Sequence, residues 1–249
     1  VGDPHTGKSY LTKALYRKFH SIRFPHIPFT DGTIYVINPD SKYWDGYRCQ
    51  IYITIDDLGS LVAAKGAVPT DVKYVIQMIN PMPFCPDMAS LDDKAKTPFV
   101  GEFVVATTNL EFGGMENKFT TLAAALRRFK LRLWVTILPE YQKLDKDGNF
   151  TGMLDDKKVT EAGVHPTLPY IIDVSRLITV PSKSGVTCYY ESICSGNFKD
   201  TIAFLHPYME QYIAGQEAAL DLFRAVRDEG FCDFCHNFVG ACECPDCSM

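Results

Sequence analysis

The chain has 249 residues, 46% of them hydrophobic, and a formal net charge of −5 at pH 7. That apolar share supports a sizeable core in one large domain or two small ones, and the acidic balance excludes a generally basic nucleic-acid coat. There is no run of 18 apolar residues of the kind that spans a membrane, no signal peptide, no repeat and no low-complexity tract.

The first nine residues carry the strongest signal. Gly2-Asp3-Pro4-His5-Thr6-Gly7-Lys8-Ser9 fits G-x-x-x-x-G-K-[ST], the phosphate-binding loop (P-loop). Glycines at both ends let the backbone curl, so that its N–H groups can face a polyphosphate. Lys8 brings a compact positive charge to the β- and γ-phosphates, and the Ser9 hydroxyl suits Mg²⁺, a cation that prefers oxygen. The run Leu11–Phe19 has the spacing of the amphipathic helix that should come next, with its positive dipole end at the loop. Only Val1 precedes the motif, so the buried strand that normally presents such a loop is expected upstream of this chain. Its loss should leave a gap in the sheet, and the isolated chain should then be poorly soluble or inactive.

Thr33–Ile37 reads as a short strand closed by Asn38-Pro39-Asp40. The aromatic stretch Lys42-Tyr43-Trp44-Asp45-Gly46-Tyr47 reads first as loop packing on the core, and second as a stacking surface for a base or a neighbouring subunit. Ile51–Ile55 is a near-continuous apolar strand that ends in Asp56-Asp57. An apolar strand feeding two acids is the second half of a P-loop NTPase site. Asp56 is assigned to the metal and Asp57 to the attacking water, an order the residues alone leave open.

Asp71–Ile79 has helical spacing, and Pro81, Pro83 and Pro86 break the helix pattern beyond it. Phe103–Thr107 is another buried-type strand, and Asn109 just beyond it could sense the γ-phosphate and help hold the water. A short helix is expected over 121–128, ending in Arg127-Arg128, with a strand over Leu131–Ile137. The two arginines fit either a solvated face or a finger reaching a phosphate bound by a neighbouring subunit. Asp145–Asn149 is a turn, and Asp155–Glu161 a charged exposed stretch. Tyr170–Val174 and Val186–Tyr190 read as strands, and 200–229 as helix interrupted near Pro207 and Gly215.

Five of the nine cysteines crowd the last 18 residues. Cys232-x-x-Cys235 and Cys244-x-x-Cys247 have the ligand spacing of tetrahedral zinc, with Cys242 and His236 as alternates. Free thiols are the competing reading. Either way, such clustering beside a nucleotide motif points to a reducing compartment and not to disulfides.

Taken together these motifs resemble the superfamily 3 helicase, or 2C-type ATPase, of picorna-like RNA viruses. The resemblance runs to about residue 140. It rests on Gly2-to-Ser9, Lys42–Tyr47, Asp56-Asp57-Leu58-Gly59, Pro86–Lys94, Ala106-Thr107-Thr108-Asn109 and Leu126-Arg127-Arg128-Phe129. It implies an α/β fold of the AAA+ P-loop type, with a mostly parallel sheet flanked by helices and a small cysteine-rich element. The expected division is an NTPase core over 1–140, strands and helices completing it over 141–229, and a zinc element over 230–249. It implies ATP, Mg²⁺ and Zn²⁺, a homohexameric ring, and single-stranded RNA in a central pore, with Lys94 as a pore-side phosphate contact. It makes Arg127 and Arg128 candidate fingers for the next subunit. Other viral replication proteins and a host membrane, reached through a segment outside this chain, are the implied partners. The implied setting is membrane-associated replication complexes in the host cytoplasm.

The expected activity is ATP-driven translocation or unwinding on RNA. The alternatives are an ATPase that remodels RNA or protein without unwinding, and a ring-forming recruitment module.

Overall fold

The computed structural model describes residues 1–38, 40–60, 70–80, 84–90, 96–113, 115, 122–182 and 185–229. Compact packing divides the chain into a unit over 1–204 and a second over 205–249.

The first helix, α1 (Lys8–Arg23), starts directly at the P-loop. Its cap is Gly7 in the left-handed region, with no side-chain cap. Leu11, Leu15, Tyr16 and Phe19 recur at helical spacing and are all buried. Three short strands come next, β1 (Ile34–Ile37), β2 (Tyr52–Ile55) and β3 (Phe103–Ala106), with helix α2 (Thr70–Met78) between the last two. They form a parallel sheet in the order β1-β2-β3. The central strand is buried at all four positions, as expected of a parallel strand covered on both faces. Tyr16 ties α1 to it by donating to the Ile53 carbonyl at 2.6 Å, with the Thr54 hydroxyl at 2.9 Å.

Trp44 and Tyr47 are 1% and 0% exposed, packed with Tyr35, Tyr74 and Phe99 around Ile53 and Leu58. The aromatic stretch is therefore core packing at these two rings; Tyr43 stays exposed beside Lys42.

Beyond the short helix α3 (Leu122–Leu126) the strand direction changes. β4 (Arg132–Ile137), β7 (Tyr170–Ser182) and β8 (Gly185–Gly196) make an antiparallel sheet in the order β4-β7-β8. Val1 lies alongside β4: its amine donates to the Leu133 carbonyl at 2.8 Å, and its carbonyl accepts from the Val135 N–H at 2.8 Å. The residue that leads into the P-loop is thus strand-paired. On β3, the ladder bonds among the described residues run to β2 only.

Between β4 and β7 lies a hairpin, β5 (Gln142–Leu144) and β6 (Phe150–Leu154), then helix α4 (Asp156–Glu161). The Asp145 carboxylate accepts from the N–H groups of Asp147 and Asn149, which makes the predicted turn the hairpin's tip. These bonds hold the Asp145 carboxyl below its ordinary range. The charged stretch 155–161 is a helix because Asp155 caps it, accepting from the N–H groups of Lys157 and Lys158.

The long hairpin β7–β8 exceeds the two short strands expected from sequence. A second departure is α5, which runs from Phe198 to Glu229 through Pro207. The expected interruption is absent because a proline removes one N–H bond, which long flanking helix can absorb. Among the described residues, no helix is long and apolar enough to cross a membrane.

Candidate functional site

The P-loop meets the ends of β2 and β3. Gly2 has φ 155°, and a Cβ there would lie 2.6 Å from the Val135 carbonyl oxygen, so β4 leaves room only for glycine. Thr6 is buried and donates to the Asp3 carbonyl at 2.9 Å, which closes the loop on itself. His5 and Gly7 both have positive φ, 58° and 74°.

Lys8 reaches back across the loop. Its Nζ donates to the carbonyls of Gly2 at 3.0 Å and Asp3 at 2.7 Å, and to Asn109 Oδ1 at 2.7 Å. Burial lowers the Lys8 pKa from its ordinary value, while Asp57, Asp3 and Asp56 oppose that shift. The lysine is thus a partly desolvated cation ringed by acceptors, poised to exchange some of them for phosphate oxygens.

The strand-end acids are held by a threonine that the sequence places in a motif without a role of its own. The Thr107 hydroxyl donates to Asp56 Oδ1 at 2.5 Å and accepts from the Asp57 N–H at 3.1 Å. The neighbouring Thr108 hydroxyl donates to the Leu58 carbonyl at 2.8 Å, and the Leu58 N–H donates to the Thr107 carbonyl at 2.7 Å. The turn after β2 is therefore stitched to the turn after β3. Asp57 takes φ 50° within it.

A second missed residue is Asp71, 1% exposed at the start of α2. Its carboxylate accepts from the Gly59 N–H at 2.7 Å and the Val72 N–H at 2.9 Å. It pins the Asp56–Gly59 turn to the helix behind. The available signal was an acid at a helix start, which reads as a cap and not as an anchor for a distant turn.

Lys8, Asp56, Asp57 and Asn109 are thus brought together from three stretches of sequence. Ser9 is exposed in the first turn of α1, on the same loop. The exposed Ser9 hydroxyl and the Asp56 carboxylate are hard oxygen donors, which fits Mg²⁺. Arg127 and Arg128 sit in the turn that closes α3, Arg127 exposed, and the structure does not bring Arg127 into the hydrogen-bonded set around Lys8. Lys94 and the tail residues Cys232, Cys235, His236, Cys242, Cys244 and Cys247 lie outside the described residues. Among the described residues no group of three or more potential metal ligands occurs, and the expected zinc ligands lie outside them.

Residues 1–110 match the RNA helicase family model. A genome polyprotein of human rhinovirus A serotype 89 (strain 41467-Gallo) is 34% identical over 140 residues, covering 56% of this chain and 6% of that polyprotein. The chain spans only a small part of the relative it matches.

Proposed function

We propose that this chain, whose residues 1–110 match the RNA helicase family model, is a superfamily 3 helicase of a picorna-like virus that hydrolyses ATP and uses the energy to move along or unwind RNA in viral genome replication. The observation that carries the proposal is the 2.7 Å bond from Lys8 Nζ to Asn109 Oδ1, which joins the P-loop to a strand end 101 residues away. With the Thr107–Asp56 bond it gathers Lys8, Asp56, Asp57 and Asn109, the groups this reading needs at phosphate, metal and water, in one place.

In this reading, the loop's N–H groups and Lys8 hold the β- and γ-phosphates and offset the charge that develops on them. Ser9 and Asp56 would hold Mg²⁺, directly or through water, and the ion would neutralise phosphate charge. Thr107 fixes the Asp56 oxygen that it touches. Asp57 takes the proton of the attacking water, and Asn109 orients that water once phosphate draws Lys8 away from its amide. An arginine from a neighbouring copy, Arg127 or Arg128, completes the charge stabilisation. That role requires assembly, as a ring of copies around single-stranded RNA would provide, with Lys94 facing the strand. The polyprotein relative supports a setting among other viral replication proteins in the host cytoplasm. Attachment to a membrane there, and zinc at the terminal cysteines, rest on family resemblance and ligand spacing alone.

The test is unwinding of an RNA duplex with a single-stranded tail, with ATP, by the wild-type chain and by Asp57→Asn. Unwinding that the substitution abolishes supports a helicase. ATP turnover without strand separation moves the reading to an ATPase that remodels RNA or protein.

A further inference from the structure

The family match stops at residue 110, yet the outer side of the P-loop is braced by residues well beyond it. A Cβ built on Gly7 would lie 2.2 Å from Tyr170 Oη and 3.1 Å from Tyr170 Cζ, so the phenol fills the space a side chain would need. Tyr170 is 1% exposed and opens β7 opposite Ile137, the last residue of β4. Burial raises its pKa to about 12, which keeps the phenol neutral at working pH.

The same strand end leads to the other side of the loop. The Ile137 carbonyl accepts from Gln142 Nε2 at 2.7 Å, and Gln142 Oε1 accepts from the Gly152 N–H at 3.0 Å. Gln142 is 8% exposed, so both halves of its amide are spent inside the protein. Gly152 has φ 74°, and a Cβ there would lie 3.5 Å from Asp3 Oδ2. Two residues on, the Leu154 N–H donates to the His5 carbonyl at 3.2 Å. His5 and Gly7 are met from outside by Leu154 and Tyr170, and Gly152 faces the Asp3 carboxylate.

This placement has an energetic consequence. His5 and Gly7 hold positive φ, and for a residue with a side chain such a conformation persists only when the surroundings enforce it. A phosphate-binding loop works through several N–H groups fixed in direction before the ligand arrives. An unbraced loop must be ordered at binding, which weakens affinity, while the groups that act on the water after binding are untouched.

We propose that Tyr170, Gln142 and the Gly152–Leu154 segment form a bracket that positions the P-loop for nucleotide phosphates. They are positioning residues, acting through the loop and not on the phosphates themselves. The proposal rests on the ATP-site reading given above, and the experiment separates the two.

The dissociation constant of an imido analogue of ATP, kcat at saturating ATP, and thermal unfolding are measured on the 249-residue chain. Gln142→Leu and Tyr170→Leu should weaken analogue binding by about tenfold, with kcat within about twofold of wild type. Tyr170→Phe keeps the ring against Gly7 and should recover most of that loss. Gly152→Ala puts a side chain on a φ 74° backbone that faces Asp3, so it strains the strand beside the loop; it lies on a partly exposed strand, should weaken binding at least about twofold, and serves if the buried variants do not fold. Folded variants that bind as wild type, or lose kcat at unchanged affinity, overturn the bracket. Lys8→Ala tests the underlying reading: if it binds the analogue as well as wild type does, the ATP site and the bracket both fall.

Discussion

The two sheets of the first unit divide the work differently. The parallel sheet β1-β2-β3 keeps its polar chemistry at strand tips: Asp56 and Asp57 after β2, Thr107, Thr108 and Asn109 after β3. The antiparallel sheet β4-β7-β8 and the β5–β6 hairpin contribute buried supports, Tyr170 and Gln142, and one backbone N–H at Leu154. Short parallel strands end together at one edge, so residues distant in sequence meet there. Antiparallel strands turn back on themselves and offer instead a wall against which a loop can be held. In the proposed reading one region supplies reacting groups and the other supplies their geometry.

That division predicts which changes cost turnover and which cost stability. The largest effect is expected for Lys8→Ala: kcat should fall at least about a hundredfold, because the main cation at the phosphates is gone. Its melting midpoint should stay within about 3 °C of wild type, since the lysine is a partly desolvated charge and not a packing element. A collapse in melting would blur the comparison at its clearest point. Thr107→Val comes next. It removes the hydroxyl that fixes Asp56 and accepts from the Asp57 N–H, and turnover should drop by about ten- to a hundredfold in a folded protein.

Asp71 asks whether the division holds within the first region. Asp71→Ala leaves the part-buried Gly59 N–H without its acceptor and should cost about 1–2 kcal/mol in urea unfolding. Turnover should also fall, because the Asp56–Gly59 turn is then loose. Loss of stability with full turnover would separate that turn from the catalytic set.

The smallest effect concerns pH. Burial places the Lys8 pKa below 10.5 in the folded chain, whereas in the unfolded chain it has its ordinary value. Between the two values the unfolded state binds more protons, so the stability contribution of Lys8 rises with pH in the window just below 10.5. Affinity for ATP falls in the same window, because the charge that meets the phosphates is lost. Melting and nucleotide titrations of wild type beside Lys8→Met should show opposite trends; parallel trends would contradict the placement of this lysine.

The groups proposed to react, Lys8, Asp56, Asp57 and Asn109, were legible in the sequence because such chemistry restricts residue type and spacing. Glycine, lysine and serine at fixed positions, and acids after an apolar run, announce a phosphate site before any fold is known. Even the packing of Trp44 and Tyr47 followed from their aromatic character. The supports were not legible. Gln142 looks like any polar residue beside a strand, and only its pairing with Ile137 and Gly152 gives it a task. Tyr170 read simply as the first residue of a strand, while its role depends on a glycine 163 positions earlier in the chain, Gly7. Asp71 looked like a helix start. The length of β7 and β8 was missed because their exposed ends carry Thr179, Val180, Val186 and Tyr189 outward, which weakens the alternation that marks a half-buried strand.

The most direct test of the central claim is ATP turnover by the wild-type chain, with and without single-stranded RNA, beside Lys8→Ala. The account predicts turnover that RNA stimulates and that the substitution abolishes. Turnover that persists in Lys8→Ala, or turnover that RNA leaves unchanged, would contradict it.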